Sequence, residues 1–383
     1  MWAAAFVFVC TRSNDYLSES WASHIPNLYR VNPMSPIPVG ILGATGAVGQ
    51  RFISLLAHHP WFQITDLLAS PRSAGKRYGD AVNWILDAPL PAPIAEMTLK
   101  LGQPGQIDAR ILFSALPTDE AQAMEPILAE AGHFIFSNAS PYRMTPDVPL
   151  VVTEINPDHL ALVKQQQAAR GWQGFIVCNA NCTATHLVGA LHPLDQAFGL
   201  DKVFVATMQA ASGAGYPGVP SLDLIDNVMP HSYGEEDKVQ TEPLKIMGRL
   251  VEGAIEPAGF RISAHCHRVP VIDGHYEAVS VALRRPAGRD DLIDAFRSYR
   301  SLPQELHLPS APDPAVIVRD ELNRPQPRLD RMAGGGMATV VGRIRPCNLF
   351  DWRFSLLGHN TIRGAAGGSI LNAELMVHQG AIR

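Results

Sequence analysis

The chain has 383 residues, a formal net charge of −5, 46% hydrophobic residues and 17% charged residues. That length suits two domains, and the composition suits a globular chain with ample core. No basic stripe points to nucleic acid, no charge block to a tail, and no apolar run reaches membrane-spanning length. Five scattered cysteines (Cys10, Cys178, Cys182, Cys266, Cys347) lack paired spacing. That argues for a reducing, cytoplasmic setting and against a disulfide framework.

Residues 1–33 stand apart from the rest of the chain. Met1–Cys10 is apolar but short, no Lys or Arg precedes it, and no clear small-residue cleavage site comes after it. A signal peptide therefore fits poorly. A cryptic targeting segment stays open; the better expectation is a non-core extension, with Met34 as the real start.

Ordered pattern begins with Pro38-Val39-Gly40-Ile41-Leu42-Gly43, a short buried-strand run. It enters the turn Gly43-Ala44-Thr45-Gly46-Ala47-Val48-Gly49 and then an amphipathic stretch from Gln50 to His58. Strand, glycine turn and helix form the context of a dinucleotide fingerprint, although the spacing is GxxGxxG. Glycines let the backbone approach a pyrophosphate, and a helix N-terminus favours its charge. The next strand, Gln63 to Ala69, ends in Ser70-Pro71-Arg72-Ser73-Ala74-Gly75-Lys76 with no acid at its end. An acid there would read a ribose hydroxyl; hydroxyls plus Arg72, with Lys76 near, suit a 2′-phosphate. The cofactor expected is NADP rather than NAD. Strand and helix patterns then alternate through Arg110–Ser114, Asp119–Ala131 and Phe134–Phe136, a doubly wound α/β sheet in outline.

The run Gly174-Phe175-Ile176-Val177 leads into Cys178-Asn179-Ala180-Asn181-Cys182-Thr183-Ala184-Thr185 and a helical stretch. Cys182 thus sits at a strand-to-helix junction, where free N–H groups and the helix dipole favour negative charge. A thiolate is the nucleophile, and an ordinary cysteine is only about 3% ionised at pH 7. The junction is expected to raise that fraction. A small buried thiol is the bland alternative.

Beyond Cys182 the pattern changes. Alternating segments at Lys202–Ala210, Arg261–Val271, Tyr276–Leu283, Thr339–Arg345 and Asp351–Leu356 predict a mainly antiparallel sheet. Helices are expected at Gly218–Asn227, Lys238–Leu250, Asp290–Tyr299 (with Asp290 as N-cap) and Ser369–Gln379. Pro303–Pro327 reads as a long loop with at most short ordered pieces. The adjacent His265, Cys266 and His267, with Cys347, do not predict a metal: neighbours on a strand point to opposite faces.

Several strings occur in one order: GATGAVG (43–49), SPRSAGK (70–76), SNASPYRM (137–144), NANCTAT (179–185), QAASGAGYPG (209–218), GEEDK (234–238), HRVPVIDGH (267–275) and NTIRGAAGGSILNAEL (360–375). Together they resemble the aspartate-β-semialdehyde dehydrogenase family, in its archaeal and fungal branch, over roughly residues 37–380. Thr153 stands where relatives commonly have Pro, away from the expected chemistry.

The resemblance implies a Rossmann-like domain (36–178 plus 359–383) and an α+β catalytic and dimerisation domain (179–358). It implies reduction of L-aspartyl 4-phosphate to L-aspartate 4-semialdehyde with NADPH, releasing inorganic phosphate, in a homodimer or homotetramer. Cys182 would form a thioester and His275 act as acid–base catalyst. Arg268 would hold the α-carboxylate, Arg143 and Lys238 the phosphate, and Asn181 would add an amide donor. Glu236 would meet the substrate ammonium, with Glu235 beside it as the alternative, and Gln209 would position the acyl group. Gly43, Thr45, Gly46, Ala47, Val48, Ser70, Arg72, Ser73 and Asn360 would bind NADP, with the Arg363–Ala366 turn on the nicotinamide side. Any of these charged residues taken singly reads more readily as a solvated surface group or a structural ion pair. The rival readings are a malonyl-CoA reductase of the same branch, a more distant N-acetyl-glutamyl-phosphate reductase, and a non-catalytic NADP-binding sensor. The sensor would need neither Cys182 nor His275, and malonyl-CoA has no amine for a carboxylate to meet.

Overall fold

The computed structural model describes residues 35–230 and 234–382; the expectation for residues 1–33 falls outside them. Apolar runs without alternation build the first sheet. Its strands are β1 (Ile37–Leu42), β2 (Phe62–Ala69), β3 (Lys100–Leu101), β4 (Ile111–Ser114), β5 (Phe134–Ser137), β6 (Leu150–Val151) and β7 (Phe175–Asn179). They lie in the order β3-β2-β1-β4-β5-β7-β6, and every pair is parallel. Such strands are hydrophobic on both sides because helices cover both faces. One face packs Phe52, Phe113, Phe136 and Phe175 with the C-terminal helix; the other packs Leu42, Leu112, Ile135 and Ile176 against Leu128 and Val188. Helix α1 (Ala47–Leu56) follows β1, α2 (Thr118–Glu130) follows β4, and α3 (Leu162–Arg170) precedes β7. The strand order reverses at β1, so the crevice beyond its C-terminal end is where such sheets bind ligands.

Helix α4 (Cys182–Phe198) carries the chain from β7 to a second seven-stranded sheet. That sheet contains β8 (Leu200–Gln209), β9 (Met229–Pro230), β12 (Arg261–Arg268), β13 (His275–Leu283), β14 (Val316–Arg319), β15 (Thr339–Pro346) and β16 (Trp352–Gly358). Its order is β14-β15-β16-β13-β8-β12-β9. The sheet is mainly antiparallel as expected, with two parallel pairings, β8–β12 and β14–β15, that make it mixed. One face buries Leu187, Leu191, Val205, Val279 and Leu356 against α4, α5 (Glu235–Ile246) and α6 (Arg289–Arg297). A hairpin, β10 (Arg249–Val251) with β11 (Ala254–Glu256), follows α5.

Local expectations fail where tertiary context is decisive. Residues 218–227 form only one turn, Ser221–Leu224, because Leu222 and Ile225 lie exposed and give the segment no buried stripe. Gly288, not Asp290, caps α6: its N–H donates to Asp291 Oδ2 at 2.7 Å. The last helix, α7 (Gly367–His378), begins two residues early, out of a π-turn at Ile362–Ala366, and is buried on all sides.

Candidate active site

Cys182 is the first residue of α4 and half-buried. Asn181 caps the helix: its Oδ1 accepts from Thr183 N at 3.0 Å and Ala184 N at 3.2 Å. Cys182 Sγ lies 3.1 Å from Nε2 of His275, which opens β13 and is wholly buried. The other ring nitrogen, Nδ1, accepts from Ala210 N–H at 3.1 Å. Asn360 fixes the turn before His275, accepting from Gly274 N at 2.9 Å and donating to Ser212 Oγ at 2.8 Å. Its amide thus ties the turn before His275 to the Ser212 loop. Gly364 presses against Cys182 from behind; a Cβ there would sit 2.7 Å from Cys182 Cβ. The neighbouring Arg363 points away, into a buried ion pair with Glu154.

The surroundings run against the expected rise in the thiolate fraction. Burial pushes the Cys182 thiol up to about 12, and the Glu235 carboxylate adds to the effect; Arg268, Arg143 and Thr183 N–H only partly oppose it. Desolvation outweighs the helix N-terminus here. Burial likewise holds His275 well below its ordinary value, helped by Arg268, His186 and His359. Burial therefore disfavours the charged form of both partners.

Strand register gathers the polar groups. Arg268 pairs across β12–β8 with Gln209, which follows Met208, the partner of Tyr276 on β13 next to His275. Arg268 donates to Ala210 O at 2.8 Å. Gln209 donates to Thr183 Oγ1 at 3.0 Å, while its buried Oε1 has no partner. A Cβ on Gly213 would stand 2.7 Å from the Arg268 guanidinium and 3.2 Å from His275 Nε2. Only glycine lets this loop lie so close to both groups.

One face of α5 supplies the rest. Lys238 donates to Glu235 at 2.8 Å, and Asn181 Nδ2 donates to the other Glu235 oxygen at 2.7 Å. Glu236, a hundred degrees round the helix, instead accepts from Cys266 N at 2.9 Å. The structure therefore corrects the assignment of Glu236: Glu235 faces Cys182. Asn181 gives one amide N–H to Glu235 and its oxygen to the cap, which leaves its second N–H as a donor. Glu242 accepts from Arg143 at 3.0 Å and from Asn181 N at 2.6 Å. Arg143 also donates to Asn138 O at 2.6 Å, and its buried Nε is unpartnered, a donor left for a ligand. Lys245 donates to the carbonyls of Arg143, Thr145 and Val148, pinning the loop that bears Arg143. Glu242 and Lys245 escaped the sequence reading. Their signal was the polar i, i+3, i+7, i+10 spacing of 235, 238, 242 and 245, one helical face.

On the first sheet, the glycine turn is shaped for close backbone approach. Gly43 has φ +74°, and a Cβ on Gly49 would meet Gly43 O at 2.3 Å, so only glycine lets α1 pack on the turn. Gly46 is the N-cap and no side chain caps α1, while Thr45, Ala47 and Val48 stay partly exposed around it. A cleft of about 390 Å³ opens at the C-terminal ends of β1 and β2, lined by Gly43, Ser70, Leu101, Leu116, Met124 and others. Arg72 is exposed beyond the Ser70–Pro71 lip, and Ser73 N donates to Ser70 O at 2.9 Å. An uncapped helix start beside an apolar cleft fits a dinucleotide.

Comparison with known proteins agrees with this geometry. Residues 38–163 match the family described as semialdehyde dehydrogenase, NAD binding domain, and residues 191–363 match semialdehyde dehydrogenase, dimerisation domain. The aspartate-semialdehyde dehydrogenase of Methanothermobacter thermautotrophicus is 53% identical over 343 residues, 89% of this chain and 99% of that protein. That of Archaeoglobus fulgidus is 54% identical over 341 residues, 89% and 98% of the two chains. A crystal structure of aspartate semialdehyde dehydrogenase with NADP from Candida albicans superposes with TM-score 0.84 at 42% identity, covering 91% of this chain and 100% of that one. A glycine turn, a cysteine at a helix start, a histidine on its sulfur and this degree of likeness together mean that the chain belongs to the aspartate-semialdehyde dehydrogenase family.

Proposed function

We propose that the protein is an NADP-dependent aspartate-semialdehyde dehydrogenase that reduces L-aspartyl 4-phosphate to L-aspartate 4-semialdehyde and releases phosphate. Such a step serves lysine, threonine and methionine biosynthesis. The carrying observation is the Cys182–His275 contact at 3.1 Å, set among Arg268, Arg143, Lys238 and Glu235. Cys182 is the nucleophile that forms a thioester, and His275 assists it through Nε2. Arg268 takes the α-carboxylate with its planar fork. Glu235 takes the α-ammonium; Arg143, through its unpartnered Nε, and Lys238 take the phosphate. Gln209, with an acceptor to spare, orients the acyl group. Glu242 and Lys245 are positioning residues for Arg143.

The turn at Gly43–Val48 would cradle the pyrophosphate, and Ser70, Arg72 and Ser73 would read the 2′-phosphate. When bound, the dinucleotide supplies hydride. The cofactor half comprises residues 36–178 and 359–383, and the catalytic half 179–358. Oligomerisation uses the half-exposed face of the second sheet, where Phe204, Ala206, Met208, Tyr276 and Ala278 lie uncovered on strands whose other face is core. A cytoplasmic location is supported by the unpaired cysteines, and none of the helices among the described residues is long and apolar enough to cross a membrane. The carboxylate beside Cys182 favours aspartyl phosphate over malonyl-CoA, which offers it no cation.

The test runs the reaction backwards: purified protein, aspartate semialdehyde, phosphate and NADP, followed by NADPH absorbance. Turnover is expected, and Cys182→Ala is expected to abolish it while NADP binding survives. No turnover with aspartate semialdehyde but clear activity with malonyl-CoA would replace the proposal.

A further inference from the structure

The π-turn at Ile362–Ala366 meets Cys182 on one side and a buried ion pair on the other, through two consecutive residues. Gly364 lies so close that an added Cβ would stand 2.7 Å from Cys182 Cβ and 3.2 Å from its carbonyl oxygen. Arg363 turns the other way and donates to a carboxylate oxygen of Glu154. Arg363 is 5% exposed and Glu154 7%. The two turn residues share one planar peptide, so a shift of the Arg363 backbone passes directly to Gly364. Glu154 is itself tied down: its carbonyl accepts from Tyr299 Oη, just past α6, at 2.7 Å. Its neighbour Thr153 donates to Asn372 of α7, and Asn372 donates back to Val151 O at 3.3 Å. From the Cys182 side, Asn179 at the end of β7 donates to Ala365 O at 3.2 Å.

The ion pair stands where the stability of the fold alone does not ask for one. Val152, Ile155, Val316 and Met337 share with it the lining of a cavity of about 10 Å³, which also reaches Thr185 on α4. Two charges in such surroundings cost desolvation, and an apolar pair of like volume often holds a fold as well. What an apolar pair lacks is direction. A guanidinium on a carboxylate fixes both a distance and a plane. A π-turn inserted before a helix is also a frequent feature of functional sites.

We propose that Glu154 and Arg363 are a positioning pair that holds the π-turn and, through Gly364, keeps the sulfur of Cys182 in place for acyl and hydride transfer; this rests on the dehydrogenase reading of the site. Neither side chain makes or breaks a bond in the reaction. The pair acts on geometry alone. It fastens the turn to the 151–156 segment, and Tyr299 fastens that segment to the catalytic half. Loss of the pair frees the turn to withdraw from the start of α4, and the nucleophile then samples positions from which attack is poor.

The experiment compares the full chain with Glu154→Leu/Arg363→Met, which removes both charges at like volume, and with Glu154→Gln, Arg363→Lys and their combination. Urea unfolding establishes which variants are folded, and the Gln and Lys variants carry the test if the apolar pair is not. Reverse-direction kcat is expected to fall about tenfold or more in the apolar pair while KM for NADP and for phosphate stays within about threefold, since a misplaced reacting atom harms the chemical step more than binding. In Glu154→Gln and Arg363→Lys the losses should be smaller and shared, so that the combination costs little more than either alone. A second readout needs no substrate. With the turn released, the half-buried thiol gains exposure, and iodoacetamide is expected to alkylate Cys182 about fivefold faster. That rate stands even if the reverse assay finds no turnover with aspartate semialdehyde, so failure of the positioning pair and failure of the dehydrogenase reading are told apart. Parent-like kcat in a folded apolar pair, additive losses from the two single changes, or alkylation no faster than the parent's would each overturn the proposal. A raised KM for NADP with kcat kept would overturn it too, by making Arg363 a cofactor contact.

Discussion

Replacing Gly364 by Ala tests how tightly the nucleophile is held. An added Cβ would lie 2.7 Å from Cys182 Cβ, 2.9 Å from its Cα and 3.2 Å from its carbonyl oxygen. Carbon atoms in contact prefer about 3.5–4.0 Å, so the overlap is about 0.8 Å or more. Two of those atoms are backbone and the third is fixed to it, so no rotamer change relieves the clash. Either the turn at 362–366 or the start of α4 must move by several tenths of an ångström. Overpacking of this kind costs about 1–3 kcal/mol of stability. The kinetic cost should exceed the stability cost. A displacement of about 1 Å at a reacting atom lowers rate by about 10²-fold, and the Cys182–His275 contact is where this one falls. The assay pairs reverse-direction turnover with urea unfolding. The expected result is a cooperative, slightly weakened fold and a turnover loss of about one to two orders of magnitude. Turnover within about threefold of the parent, in a variant destabilised by less than about 0.5 kcal/mol, would refute the argument that Gly364 is required by Cys182.

Other predictions use different parts of the molecule. Arg72→Ala should raise KM for NADP about tenfold or more and leave KM for NAD nearly unchanged, since only NADP offers a charge-assisted contact of about 1.5–3 kcal/mol; equal effects on both would remove Arg72 from the ribose. Glu235→Gln should weaken use of aspartate semialdehyde far more than of an amine-free analogue, whereas Glu236→Gln, acting only on the Cys266 amide, should change neither selectively; the reverse pattern would restore Glu236 as the ammonium partner. Glu125 is buried on α2, and burial raises its carboxyl from 4.5 to about 7 against its Ser137 hydrogen bond and the Arg143 charge. A raised carboxyl contributes stability below its unfolded value and loses it as pH climbs through the folded one. Glu125→Gln should therefore gain on the parent between about pH 4.5 and about pH 7, by up to about 3 kcal/mol; parallel stability curves across that window would place a charge on Glu125 in the native state.

Much of this protein is decided by local chemistry that a sequence carries openly. The glycine turn after β1 is legible because close backbone approach leaves no other residue possible at Gly49. Continuous apolar runs announce the parallel sheet, since burial on both faces removes alternation. Cys182 is legible because β7, the Asn181 cap and the helix lie contiguous in the chain. Other features depend on groups that meet only across the fold. The choice of Glu235 over Glu236 follows from the rotation of α5 against β12, which one residue of helix phase inverts. Glu242 and Lys245 gain meaning only when α5 reaches Arg143, about a hundred residues away in sequence. The thiol's ionisation changes direction for the same reason. A helix start favours charge locally, but enclosure by the second sheet and the nearby Glu235 carboxylate imposes a larger desolvation and Coulomb cost that no local pattern records.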